Sequence, residues 1–237
     1  MGELKGTLKT DAGDIPVTNA DCTLLFGRLR IESTARIDWS LSNIPVGDVV
    51  DYSQLQGIIV SMPDCINAVD ENSCKTPLFV INHDYYSVCS LHVQLAQFIP
   101  GDNLLQLTFD IRGSHHDTNA QITVTGDITA DCLPISAFDI LWSSETFPVR
   151  FAAHYLPLLG LPPIAVGTTR EQITGYFGSP ARTGGGLHPK FGEIPEWMFY
   201  VLPKCTLRFQ IAANQVTHIT VGKIPNADTP WWDRVFI

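Results

Sequence analysis

The stretch NLLQLTFDIRG (residues 103–113) sets Leu105, Leu107, Phe109 and Ile111 against Gln106, Thr108, Asp110 and Arg112. Strict alternation of apolar and polar side chains is the period of a strand with one buried face. A second run, QITVTGDIT (121–129), repeats the pattern with Ile122, Val124 and Ile128 against Thr123, Thr125 and Asp127. The polar GSHHDTNA between them suits a hairpin loop. Further runs precede this pair: TLLFGRLRIES (23–33), ARIDWSL (35–41), LQGIIVSM (55–62), PLFVIN (77–82) and YYSVCSLHVQLAQF (85–98). They are rich in β-branched and aromatic residues and separated by Gly, Pro, Asn and Asp. Short strands without intervening helical stretches predict an antiparallel β-sandwich or barrel. PVRFAAHY (148–155) reads as one more strand, with Val149, Phe151, Ala153 and Tyr155 on a single face.

The texture changes at LPLLGLPPIAVG (156–167), whose three prolines and two glycines preclude continuous regular structure. The expected domains are therefore 1–155, an acidic antiparallel β domain, and 156–237, a helix with a three-stranded meander. In the second, Thr168 and Glu171 fit a T-x-x-E capping box. Ile173, Tyr176 and Phe177 form an apolar stripe, and Gly178 followed by Pro180 ends the helix at about Phe177. EWMFYVL (196–202), TLRFQIA (206–212) and THITVGKI (217–224) then read as antiparallel strands joined by short links. The fold class expected is α+β, predominantly β, with a small helix-on-sheet domain at the C-terminus.

The 237 residues are 45% hydrophobic and 16% charged, the composition of a folded globule. Residues 1–163 carry 8 Lys+Arg against 19 Asp+Glu and residues 164–237 carry 7 against 5, so charges of −11 and +2 make up the formal −9. An acidic first part argues against nucleic acid as a partner, because that binding needs basic surface to displace counterions. It suits a basic protein partner, or simply solubility. No run approaches the roughly 18 apolar residues of a membrane span. The N-terminus lacks the apolar core of a secretory signal. The expectation is a cytoplasmic protein, unless a leader precedes this sequence, that engages no membrane. The six cysteines are scattered and show no C-x-x-C spacing, which predicts reduced, mostly buried thiols and no zinc ribbon.

Chemistry is sought next in the glycine run of GSPARTGGGLHPKFG (178–192). A phosphate-cradling loop needs G-x-x-x-x-G-K-[ST] ahead of a helix, and these glycines follow one and have no such Lys-Ser/Thr. A dinucleotide fingerprint is missing for the same reason of order. His83 beside Asp84 is the orienting half of a triad, but no G-x-S-x-G elbow accompanies it. His115, His116 and Asp117 share a turn, yet neighbouring strand side chains point to opposite faces and make a poor chelate. Asp110 and Asp127 are paired carboxylates on the polar faces of their strands. No metal, no cofactor and no catalytic residues are expected. The contact residues expected are Arg182, Gly184, Gly185, Gly186 and His188 in the glycine loop, with Trp231, Trp232 and Arg234 at the chain end. Tryptophan and arginine are the residues that dominate binding hot spots.

One resemblance bears on the last third. GTTREQITGYFGSP (167–180), the glycine loop, and PEWMFYVLPKCTLRFQIAANQVTHITVGK (195–223) resemble a module of bacterial immunity-type proteins. In it G-T-T-x-E, a terminal F-G-x-P and an aromatic W-x-x-Y strand recur. The segment is also similar to the helix-plus-sheet inhibitor and assembly domains of BamE-like proteins. The resemblance covers about residues 156–223 and implies a non-enzymatic protein that neutralises a toxin or effector by direct binding. A hydrolase using a His/Asp loop, and a structural or phage-associated assembly protein, are the alternative readings. Partner identity and oligomeric state are open at this level.

Overall fold

A computed structural model describes residues 5–33, 39–65, 76–189 and 192–224. The chain divides into two compact units, Met1–Ile135 and Ser136–Ile237. Each is built around its own sheet.

The first unit contains ten strands among the described residues: β1 (Gly6–Thr10), β2 (Gly13–Val17), β3 (Asp21–Leu25), β4 (Arg28–Ser33), β5 (Trp39–Pro45), β6 (Ile59–Met62), β7 (Leu78–Ile81), β8 (Asp84–Ile99), β9 (Leu104–His115) and β10 (Gln121–Cys132). Pairing runs β3-β4-β5-β7-β8-β9-β10 and returns to β3, so the sheet closes into a barrel, with the β1–β2 hairpin attached to β10 and β6 attached to β8. The alternation in β9 and β10 is borne out: Leu105, Leu107, Phe109, Ile111, Val124 and Ile128 join the barrel core with Leu24, Ile31, Leu41, Phe79, Val93 and Leu95. TLLFGRLRIES is two strands instead of one. Phe26 and Gly27 take φ of 51° and 72° and turn the chain between β3 and β4, as a two-residue hairpin with positive φ at both positions requires.

Closure depends on a short seam. β3 and β10 run parallel and share two register pairs, Asp21↔Asp131 and Cys22↔Cys132. Asp131 N–H donates to Ala20 O (2.7 Å) and Leu133 N–H to Cys22 O (2.9 Å). The Tyr52 hydroxyl accepts from Leu24 N–H (3.1 Å) and lies 3.0 Å from Cys22 O and 2.7 Å from Leu133 O.

The second unit begins before the expected boundary at 155/156. Its first element is helix α1 (Ala137–Ser143), opened by a Ser136/Asp139 capping box. β11 (Thr146–Pro148) follows and pairs with β15 (Gln215–Gly222), which places these residues in the second unit. The expected strand at 148–155 is instead a 3₁₀ turn, Val149–Phe151, leading into helix α2 (Ala152–Tyr155). Phe151 and Tyr155, four residues apart, are buried together as helical spacing demands, with ring centroids 6.4 Å apart. Helix α3 (Arg170–Phe177) lies where expected, but its cap is Thr169 with Gln172, one residue beyond the Thr168/Glu171 reading. Thr168 instead accepts from Ala165 N–H (3.1 Å), and Glu171 accepts from the Asn214 amide (3.1 Å).

The sheet of this unit has five strands, not three. Its order is β11, β15, β14 (Thr206–Ala212), β13 (Gly192–Val201), β12 (Arg182–His188). One face buries Met198, Tyr200, Leu207, Phe209, Ile219 and Val221. Phe177 seals α3 to that face, 5.6 Å from Tyr200 and 5.7 Å from Phe209 between ring centroids.

Candidate interaction surface

The glycine run is the point of largest departure from the sequence reading. Arg182, Gly184, Gly185, Gly186 and His188, expected on a loop, belong to β12, the outer strand of the sheet. The glycines are required by the neighbouring strand. A Cβ on Gly184 would enter the indole of its register partner Trp197, and one on Gly185 would stand 2.5 Å from Glu196 Cα and 2.7 Å from Pro195 O. Gly185 and Gly186 also hold φ of 113° and 99°, and the register slips between Gly184 and Gly186. Glycine alone enters that region freely, so the run is a strand with a built-in bulge.

Behind the strand lies an aromatic brace. The Trp197 ring covers Gly184 from β13 and meets the Arg208 guanidinium of β14 at 5.1 Å, a cation–π contact. Arg170, in the first turn of α3, donates to Glu196 Oε2 at 3.1 Å and so ties the helix to β13. Glu171 beside it is held below the ordinary carboxylate range by a backbone N–H, by the Thr169 hydroxyl and by Asn214. The surface around β12 includes exposed apolar side chains. Leu187 is 86% exposed and Val201 56%. No strand among the described residues covers the outer edge of β12. Trp231, Trp232 and Arg234 lie outside the described residues.

A second exposed aromatic pair went unread in the sequence. Phe138 and Trp142 stand one turn apart on α1, are 63% and 65% exposed, and stack with centroids 5.4 Å apart. Lys223 places its ammonium 3.5 Å from the Trp142 centroid. The signal lies in SAFDILWS, where a Ser136/Asp139 capping pair accompanies aromatics four residues apart, Phe138 and Trp142.

The candidate catalytic groups are arranged differently from their order in the sequence. Asn82 and His83 form the β7–β8 turn, both with positive φ. Asp84 reaches across to His115, with Oδ1 3.6 Å from Nε2. His115 Nδ1 accepts from Asp117 N–H (3.1 Å) and Thr118 N–H (3.2 Å), so the ring hydrogen is on Nε2, facing the carboxylate. Through Nδ1, His115 holds the β9–β10 turn. The pair Asp110 and Asp127 sits on the outer face of the barrel, diagonal to one another, since Asp110 faces Thr125 and Asp127 faces Thr108. They line an open hollow of about 620 Å³ with Lys5, Lys9 and His92. Among the described residues, no group of three or more His, Cys, Asp or Glu is placed to hold a metal ion. No protein family, no curated protein and no solved structure matches this chain.

Proposed function

We propose that this chain is a non-enzymatic binding protein of the immunity or inhibitor type, which neutralises a bacterial toxin or effector by direct contact with its C-terminal sheet. The observation that supports this reading is the outer edge of β12, which no strand among the described residues covers. A partner segment that adds a strand there gains main-chain hydrogen bonds with little demand on its sequence, and the glycines leave no side chain in its way. Natural sheets protect such edges with charged side chains, proline, a bulge or a covering element; β12 has a bulge, and beyond it presents Leu187 at 86% exposure. The bulge between Gly184 and Gly186 divides the edge, so the docked segment is short. The acidic balance of residues 1–163 favours a basic target by steering the encounter.

Co-expression with a toxin encoded beside its gene tests the proposal. The chain restores growth, and Leu187→Lys, which sets a charge at the strand edge without touching the core, reduces that rescue at least about tenfold, as loss of one interface anchor does. Absence of rescue together with absence of a complex rejects it.

A further inference from the structure

The barrel seam brings two buried thiols of the core together. Cys22 and Cys132 are register partners on β3 and β10, with Sγ atoms 3.4 Å apart and exposures of 0% and 2%. Adjacent strands run ~4.8 Å apart, inside the ~4.4–6.8 Å between Cα atoms that a disulfide spans. Both backbones are pinned in this position. Cys22 O takes Leu133 N–H (2.9 Å), Cys132 N–H donates to Asn103 O (2.8 Å), and the Asn103 amide donates to Cys132 O. The two sulfurs therefore face each other across the seam, on strands whose spacing lies inside the range that a disulfide spans.

We infer that Cys22 and Cys132 form an intrachain disulfide that stitches the β3–β10 seam when the chain folds in the presence of a disulfide oxidant. The exchange balances with oxidised glutathione. One cysteine, as thiolate, displaces glutathione thiolate and leaves a mixed disulfide. The other, after giving its proton to solvent, attacks the protein sulfur and expels the second glutathione. The protein pair loses two electrons, and glutathione disulfide becomes two thiols. The step belongs to folding, before the seam closes. In the closed barrel Cys22 donates its S–H to Cys132 Sγ, and that bond and its burial push its ionisation well above the ordinary thiol range. The reactive thiolate is thus withheld once the strands meet. The bond would span 110 positions of sequence, and a loop of that length restricts the unfolded chain strongly. This departs from the expectation that all the thiols stay reduced.

The test refolds the full chain in a reduced/oxidised glutathione buffer, blocks free thiols with N-ethylmaleimide, and maps peptides without reduction. The expected result is a linked 22–132 peptide. Its formation should raise the midpoint of thermal unfolding by on the order of 10 °C relative to the reduced chain. Cys132→Ala removes both signals, and Cys205→Ala, in the other unit, keeps them. Recovery of Cys22 and Cys132 both alkylated, or joined to other cysteines, overturns the inference. The linkage readout on the unmutated chain decides this even if a variant fails to fold.

Discussion

Gly185 shows how a residue that suggests chemistry in sequence serves geometry in the fold. A Cβ there meets Glu196 Cα at 2.5 Å, and its φ of 113° is foreign to any side-chain-bearing residue. Gly185→Ala therefore costs about 1–3 kcal/mol, read as a lower midpoint in denaturant. Gly186→Ala meets open space at its Cβ and carries only the φ strain, so it costs less. His218 supplies a pH-dependent counterpart. Burial, and then the Arg150 charge, lower its pKa from the ordinary 6.5. The unfolded chain then binds a proton that the folded chain refuses, so stability is full above about pH 6.5 and falls as the pH drops through the lowered value. Thermal unfolding between pH 7.5 and 5 should show His218→Gln losing less stability than the parent chain over that window.

The elements differ in how openly the sequence announces them. β9 and β10 were legible because each has one buried face, which forces alternation at Leu105, Leu107, Phe109 and Ile111. Helix α3 was legible from its apolar stripe and its glycine stop, while its cap was misplaced by one residue because two threonines adjoin. Which of them caps is settled by tertiary pairing: Thr169 forms a bridge with Gln215, and Arg170 N–H reaches Asn214 O at 3.2 Å. Thr169→Ala should consequently lower C-terminal unit stability by about 1 kcal/mol, whereas Thr168→Ala loses only the contact to Ala165. Calorimetry of the two variants distinguishes them. β12 was illegible as a strand because glycine has poor strand propensity. It is a strand through its pairing with β13, where Trp197 lies across Gly184, thirteen positions away in sequence. In the same way 148–155 alternated well enough for a strand, but Phe151 and Tyr155 satisfy helical spacing equally, and packing chose the helix.

For the whole molecule, the class of fold was accessible from local pattern and the closure was not. Nothing in DCTLL or ITADC announces that β3 and β10 meet in parallel and turn an open sheet into a barrel. That contact joins residues 110 positions apart in sequence. Arg182 and the three glycines read as a loop in the sequence and form strand β12 in the fold, while the exposure of Phe138 and Trp142 on α1 follows from packing that local pattern does not reveal. The two His/Asp turns lie far apart in sequence, and the fold brings them together where Asp84 Oδ1 stands 3.6 Å from His115 Nε2.

The proposed binding role requires β12 to be a docking edge. Hydrogen exchange measured on residues 182–188, first in the free chain and then in complex with a toxin that it neutralises, addresses this most directly. The outward-facing amides of Arg182–His188 should exchange rapidly alone and slow by at least about tenfold in the complex, as amides do when they enter a sheet ladder. A complex that forms and rescues growth while exchange along β12 is unchanged would contradict it.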